Sequence, residues 1–207
     1  ESILHPDTQL EQVAERIQGA EVVITNKVKV TREAMTSTPT LKLICVAATG
    51  MNNVDLTAAH ELGIQVKNVK GYSTDSVAQQ TFALLLALLN STAYYDDYVK
   101  TGEYSNERIF THLGRPYWEL NGKRFGILGL GEIGRQVARI ALAFGAEVVY
   151  FSASGQEYNV IYERLELDEF LKTCDVISIH APLSAETENL LNYARISQMK
   201  PTALLLN

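Results

Sequence analysis

The sequence has few cysteines, no cluster of basic residues and no long apolar run, and each of these absences excludes a class of protein. The two cysteines, Cys45 and Cys174, lie far apart beside apolar strand patterns. That placement predicts buried free thiols in a reducing compartment and argues against a disulfide framework. The net charge of −6 and the lack of any run of Lys or Arg argue against a nucleic-acid partner. The longest apolar run, Phe82–Leu89, is far shorter than the roughly 20 residues that span a bilayer, so no membrane partner is expected.

Histidine is also scarce, and its placement offers no metal-binding pattern. His5, His60 and His112 are scattered without the spacing of zinc ligands, so we expect no metal site. The first residues lack the basic region and the apolar core of a signal peptide. Together these absences favour a cytoplasmic protein.

The first half of the chain alternates short strand patterns with helical stretches. The 207 residues, 46% of them apolar and 20% charged, have room for one large or two small domains with a real core. Alternating units of this kind predict a parallel sheet with helices on its faces. The predicted strands are Val22–Thr25, Leu43–Val46 and Ile64–Lys67, and the helical stretches are Leu10–Ile17, Thr31–Ser37 and Leu56–Leu62, with Gly63 as a C-cap.

One long helix is predicted over Thr74–Val99, near the middle of the chain. Its interior is apolar on all sides, which predicts burial all round at a junction between two domains or two subunits. Between Tyr94 and Trp118 the chain becomes polar, aromatic and irregular, which is typical of a connector or an interface. We therefore expect two domains, residues 1–73 and residues 74–207.

The second half repeats the alternation of strands and helices. It predicts the first strands of a doubly wound sheet. The expected strands are Phe125–Leu128, Glu147–Phe151, Val176–Ile179 and Ala203–Leu206, and the expected helices are Ile133–Phe144, Leu167–Cys174 and Tyr193–Met199.

A G-x-G-x-x-G motif lies between the first of these strands and the helix after it. In that setting the motif predicts a turn that binds a dinucleotide. Gly129 allows the tight turn, Gly131 lets the backbone approach a pyrophosphate, and Gly134 lets helix and strand pack closely. The free N–H groups and the dipole at the start of the helix favour the anion. A glycine-rich turn with no chemical role is the alternative interpretation.

With this motif and four further blocks, the sequence resembles a known family, the D-2-hydroxyacid dehydrogenases. The resemblance is greatest to their hydroxypyruvate reductase (D-glycerate dehydrogenase) branch. The resemblance spans nearly the whole chain in the family's order. Its blocks are Val46–Asp55 (VAATGMNNVD), Asn68–Ala78 (NVKGYSTDSVA), Gly126–Gly134 (GILGLGEIG), Cys174–Leu183 (CDVISIHAPL) and Met199–Asn207 (MKPTALLLN).

The resemblance implies an α/β protein with two parallel-sheet domains joined by the long helix. One domain, flavodoxin-like, would bind the substrate, and the other, Rossmann-like, would bind NAD or NADP. Members of the family reduce a small 2-keto acid, such as hydroxypyruvate or glyoxylate, to the D-2-hydroxy acid by hydride transfer. They usually form homodimers through the nucleotide-binding domain. We therefore expect subunit contacts near the aromatic residues of the connector, with packing inside one chain as the alternative.

The resemblance also implies which residues meet the ligands. The backbone at Thr49 and Gly50 would bind the substrate carboxylate, unless these residues only form a turn. Val77, at the start of the long helix, would lie beside the nicotinamide, with plain core packing as the alternative. The other expected cofactor contacts are Gly129, Leu130, Gly131, Glu132, Ile133, Gly134, Ser152, Ala181, Pro182 and Thr187.

Ser152 is the main departure from the family pattern in the second half. An acid that binds the ribose 2′-hydroxyl is expected about 20 residues past the glycine turn, and this chain has Ser there. No Arg or Lys lies between Arg139 and Arg164 to bind a 2′-phosphate. We expect NAD as the cofactor, with NADP as the open alternative.

No catalytic residue is assigned within the chain. The family's Arg, its orienting acid and its proton-transfer His are expected beyond Asn207, and its first strand before Glu1. His180 is expected to have a structural or cofactor-side role. Both domains are thus expected to be incomplete and this stretch alone inactive. The alternative function is a dinucleotide-sensing binding protein of the corepressor type, because the same fold serves both functions.

Overall fold

The computed structural model describes residues 2–207, which form an α/β fold with parallel sheets, as predicted. The chain divides into two compact units, one ending at Tyr72 and the other running from Ser73 to Asn207. None of the helices within residues 2–207 combines the length and the apolarity that crossing a bilayer requires.

The first unit contains a three-stranded parallel sheet in the order β1-β2-β3. Ile44 and Val46 of the middle strand are buried in its core. The strands are β1 (Val22–Thr25), β2 (Leu43–Val46) and β3 (Gln65–Asn68), and the helices are α1 (Val13–Arg16), α2 (Arg32–Thr36) and α3 (Leu56–Glu61), with a short 3-10 helix at Leu10–Gln12.

Side-chain caps set the starts of two of these helices. Thr31 Oγ1 accepts a hydrogen bond from Ala34 N at 3.4 Å at the start of α2, and Asp55 Oδ1 accepts one from Ala58 N at 2.8 Å at the start of α3. Gly63 follows α3 with φ of +70°, the left-handed conformation expected at a helix end.

The predicted long helix is broken in two. α4 covers Thr74–Leu89 and α5 covers Thr92–Lys100. Ser91 between them has φ of 48°, a left-handed conformation that a helix cannot contain. The polar run from Asn90 to Thr92 favours this break, because short polar side chains compete for backbone hydrogen bonds.

The prediction that the apolar helix is buried on every side was also wrong for α4. Ala78, Phe82, Leu85 and Leu89 face the core of the second unit. On the other face Leu84 and Leu88 are 46% and 57% exposed. The apolar run in α4 therefore belongs to a helix that buries only one of its faces.

The aromatic residues of the connector pack against one another within the chain. Tyr98 is buried, its ring stacks on that of His112 at 3.9 Å, and Tyr94 Oη lies 2.8 Å from His112 Nε2. A short helix, α6 (Glu103–Asn106), precedes this contact. The apolar side chains left exposed in the connector are mainly Ile109, Phe110, Leu113 and Tyr117.

The second unit contains a five-stranded parallel sheet in the order β6-β5-β4-β7-β8. The two-residue β6 was not anticipated, because so short an edge strand leaves no alternating pattern. The strands are β4 (Arg124–Leu128), β5 (Glu147–Phe151), β6 (Glu163–Arg164), β7 (Val176–Ile179) and β8 (Leu204–Leu206), and the helices are α7 (Glu132–Ala143), α8 (Leu167–Thr173) and α9 (Tyr193–Ile196).

Helices cover both faces of this sheet, which is why its central strands are apolar throughout. Phe125 and Ile127 of β4 pack toward α4 and α7. Leu128 packs on the opposite face with Phe170 and Leu171 of α8. The chain crosses from β4 to β5 on one side and later returns to β7 on the other, so the strand order reverses at β4.

Gly126 should be intolerant of any side chain. A Cβ there would lie 2.6 Å from Cys174 Sγ and 2.6 Å from the Phe170 ring. We expect Gly126→Ala to lower the free energy of unfolding by about 1–3 kcal/mol through overpacking, measured by urea denaturation. Gly131→Ala is the matched control, since nothing lies within 4 Å of a Cβ there. Equal stability of the two variants would contradict this packing.

Candidate functional site

The turn after β4 is held by backbone contacts to both neighbouring strands. Gly129 N donates to Phe151 O at 3.0 Å, and His180 N donates to Leu128 O at 2.8 Å. Gly129 has φ of +94°, and a Cβ on it would lie 2.6 Å from Ala181 N. Both observations require glycine at this position.

The start of α7 presents free backbone donors at this turn. Gly131 is the N-cap, and the first helical bond runs from Arg135 N to Gly131 O at 2.9 Å. The N–H groups of 132–134 precede that bond, and within residues 2–207 no side chain caps them. Gly134 is buried, and a Cβ on it would collide with Gly129 O. The space at Gly131 is open.

The side chains around this turn divide into buried and exposed groups. Leu130 is buried and Ile133 is half-buried, and both contribute to the core of the second unit. The side chain of Leu130 is therefore turned away from any ligand, whereas that of Ile133 is partly exposed. Glu132 is exposed at the first turn of the helix, where a negative charge is favourable. The ligand surface is thus made mainly of peptide N–H groups and is shaped to hold an anion.

Arg135 and its neighbour Tyr158 also border the turn and were missed at the level of sequence. Arg135 Nε donates to Leu130 O at 3.2 Å, and the guanidinium lies 4.9 Å from the Tyr158 ring centroid. The sequence signal that could have indicated Arg135 is its position, as a cationic residue directly after the last glycine of the motif. Its contacts fix a positive charge beside the anion-binding turn.

Two hydroxyl groups stand at the end of β5, next to the glycine turn. Ser152 follows the strand and is 5% exposed, and its Oγ lies 3.3 Å from Ser154 Oγ. Gly155 N donates to Ser152 O at 3.1 Å and closes the loop. A hydroxyl can bind either a ribose hydroxyl or a phosphate oxygen. Ser154 was a further residue that sequence reasoning missed.

The loop after β7 is closed by Thr187. Its hydroxyl donates to Pro182 O at 2.6 Å and accepts from Ser184 N at 2.7 Å. These bonds use the one proton of the hydroxyl and help to hold the loop closed. Ala181 and Pro182 stand at the strand end, beside Gly129.

His180 points into a cavity at the ends of β7 and β8. The cavity is lined by Val77 and Thr81 of α4 and by Ser178, His180 and Asn207. Burial lowers the pKa of His180 to about 4. The imidazole is therefore neutral at physiological pH. Val77, near the start of α4, lines the wall of this cavity.

Thr49 and Gly50 belong to the first unit and lie at the carboxyl end of its sheet. Both residues are exposed. Asn68 Nδ2 donates to Thr49 O at 2.7 Å, and Thr49 Oγ1 donates to Val69 O at 3.2 Å. These bonds tie the loop after β2 to the end of β3. Across residues 2–207 there is no group of three His, Cys, Asp or Glu side chains that could hold a metal ion.

Residues 82–207 match the model of a protein family described as D-isomer specific 2-hydroxyacid dehydrogenase, NAD binding domain. A hydroxypyruvate reductase from Blautia hydrogenotrophica is 37% identical over 97% of this chain and 63% of its own length. A D-lactate dehydrogenase from Aquifex aeolicus, solved with NAD and lactic acid, has a TM-score of 0.83 and 33% identity, covering 93% of this chain and 57% of that one. An acyclic imino acid reductase solved with NADPH and D-Arg has a TM-score of 0.86 and 28% identity, covering 96% and 62%.

The chain belongs to the D-isomer specific 2-hydroxyacid dehydrogenase family, and residues 82–207 are its NAD-binding domain. The chain spans about three fifths of the length of the curated relatives it matches. The family resemblance inferred from the sequence is thereby confirmed.

The low pKa of His180 has a consequence for stability. An unfolded histidine has a pKa near 6.5, whereas the folded value is about 4. Between these values the unfolded chain binds more protons, so stability falls as pH falls from about 6.5 to about 4. We expect wild type to lose more free energy of unfolding than His180→Asn over this window, measured by urea denaturation at several pH values. Parallel curves would contradict the burial of a neutral imidazole.

Proposed function

Because the chain belongs to this family, we propose that the protein is an NAD(P)-dependent D-2-hydroxyacid dehydrogenase that reduces a small 2-keto acid, hydroxypyruvate or glyoxylate. The observation that supports this most is the glycine turn at the carboxyl end of β4, where the strand order reverses. Ligands bind open parallel sheets at such reversals. The similar proteins named above are a reductase, a dehydrogenase and an imino acid reductase. Enzyme names of this kind do not favour the alternative of a corepressor-type sensor.

The turn fits a dinucleotide on its geometry. A side chain at Gly131 would occupy space that is empty in the structure. The uncapped N–H groups of 132–134 lie beside this space. We propose that these groups bind the diphosphate, with Gly129, Leu130 and Gly134 shaping the turn and Glu132 and Ile133 contributing backbone N–H groups. Ala181, Pro182 and Thr187 would form the opposite wall.

Each unit would have its own role in the reaction. The bound nicotinamide supplies the hydride in this family. Val77, half-buried at the cavity wall, would limit the space beside the nicotinamide. We assign substrate binding to residues 1–73 and coenzyme binding to residues 74–207. Thr49 and Gly50 would offer backbone N–H groups to the substrate carboxylate, supported by their exposure at the end of β2.

We also propose a cytoplasmic homodimer. Cys45 and Cys174 are free thiols, as suits a reducing compartment. The exposed apolar side chains of the connector, Phe110 and Leu113 foremost at 90% and 87% exposure, are the surface we assign to the second subunit.

The experiment that tests the function is oxidation of NADH and NADPH by the full protein across a panel of 2-keto acids. We expect turnover with hydroxypyruvate or glyoxylate. Gly131→Ala should fold as wild type does and weaken NADH binding by about tenfold or more, because its Cβ fills the diphosphate space, as isothermal titration calorimetry would show. The absence of turnover with every keto acid, together with unchanged NADH affinity in Gly131→Ala, would contradict the proposal.

Ser152 controls the choice between the two coenzymes in this account. We expect Ser152→Asp to lower NADPH affinity by about tenfold or more and to spare NADH, since a carboxylate binds the ribose hydroxyls and repels a 2′-phosphate. Ser152→Asn is the matched control, being of equal size and uncharged. Equal NADPH dissociation constants for the Asp and Asn variants would remove Ser152 from this role.

A further inference from the structure

Ser178 and His180 lie two residues apart at the end of β7, and their side chains meet. Ser178 is 1% exposed, and among residues 2–207 the hydrogen-bonding partner of its hydroxyl is His180 Nε2, at 2.8 Å. A buried hydroxyl proton needs an acceptor. A neutral imidazole offers one at Nε2 only when its own proton is on Nδ1. This contact therefore favours the tautomer of His180 that carries its proton on Nδ1.

His180 lines the cavity, and its other ring nitrogen is open to solvent. His180 Nδ1 has no hydrogen-bonding partner within the described residues, and it is not among their buried unpartnered atoms, so solvent reaches it. The nearby wall contains Val77, Leu84 and Leu206, with the amide of Asn207 at one side. No side chain that lines the cavity bears a formal charge. A donor in such surroundings suits an uncharged or anionic oxygen acceptor.

This geometry excludes His180 as the group that transfers the proton. In this tautomer the Nε2 lone pair accepts from Ser178, 2.8 Å away, and Nδ1 already holds a hydrogen. A general base needs a free lone pair within reach of the substrate. His180 can therefore donate a hydrogen bond into the cavity but cannot accept a proton there.

We propose that His180 binds an oxygen atom of the coenzyme through Nδ1–H, and that Ser178 is the positioning residue that holds the imidazole in this tautomer. The inference rests on the proposed function, since the coenzyme is the ligand. The acceptor is either the carbonyl oxygen of the nicotinamide carboxamide or an oxygen of the diphosphate. Both accept from a neutral N–H, and the ligands used in the binding experiment separate them.

The tautomer is tested first, without any ligand. Long-range ¹H–¹⁵N NMR of the wild type should show a protonated Nδ1 and an unprotonated Nε2 for His180, assigned by the loss of these signals in His180→Asn. Ser178→Ala should shift the proton toward Nε2, because the hydroxyl donor is gone. A protonated Nε2 in the wild type would overturn the inference.

Binding is tested next by calorimetric titration with NADH and with ADP-ribose, which lacks the nicotinamide. We expect His180→Leu to weaken NADH binding about two- to twelvefold, the worth of one hydrogen bond, and His180→Asn to retain most of the affinity through its amide N–H. Loss for NADH alone assigns the carboxamide oxygen, and equal loss for both ligands assigns the diphosphate. Unchanged affinity for both ligands in His180→Leu would refute the contact.

Ser178→Ala gives a readout that a purely structural role would not give. It leaves the imidazole in place, so a loss of NADH affinity that arises through His180 must accompany the shift in tautomer. We expect both changes together, while His180→Asn retains most of its NADH affinity. A wild type that binds no NADH would instead overturn the proposed function, while the NMR result on the tautomer would still stand.

Discussion

Close backbone packing at the turn between β4 and α7 is the constraint on which the second unit depends. Gly134 lies against the carbonyl of Gly129, and Gly129 lies against Ala181 N. A side chain at either position would separate the helix from its strand, or the strand end from β7. The same compactness turns the N–H groups of 132–134 outward as free donors. The anion binding that we propose would therefore be a consequence of how tightly this turn folds.

The surroundings of the turn are built mostly from uncharged donors. Ser152 and Ser154 offer hydroxyl groups, and His180 is neutral because burial lowers its pKa to about 4. The charged side chains at the turn are Arg135, bonded to the Leu130 carbonyl, and the exposed Glu132. The positive potential for a diphosphate would come from the peptide N–H groups and from Arg135. Such a site leaves neutral hydrogen bonds for the rest of a dinucleotide.

The sequence was most informative where the residues of one short segment are enough to decide its structure. The strands β4 and β7, buried on both faces, and the glycine motif have local signatures that survive any tertiary context. The break at Ser91 was missed because the polar run Asn90–Thr92 is short and helix-compatible residues resume directly after it. The exposed face of α4 was missed because a helix that is apolar all round gives no sign of which face packs against the core. The hydroxyl of Thr187 and the tautomer of His180 depend on partners that only the folded chain brings near, Pro182 and Ser178.

Backbone amide chemical shifts provide the most direct test of the central claim, that the peptide N–H groups of this turn bind the diphosphate of a nicotinamide coenzyme. The ¹H–¹⁵N spectrum of the protein would be followed during titration with NADH. The account predicts that the largest changes fall on residues 130–134, with smaller ones at Ser152 and Ala181. Changes confined to other parts of the chain, or no change at saturating NADH, would contradict it.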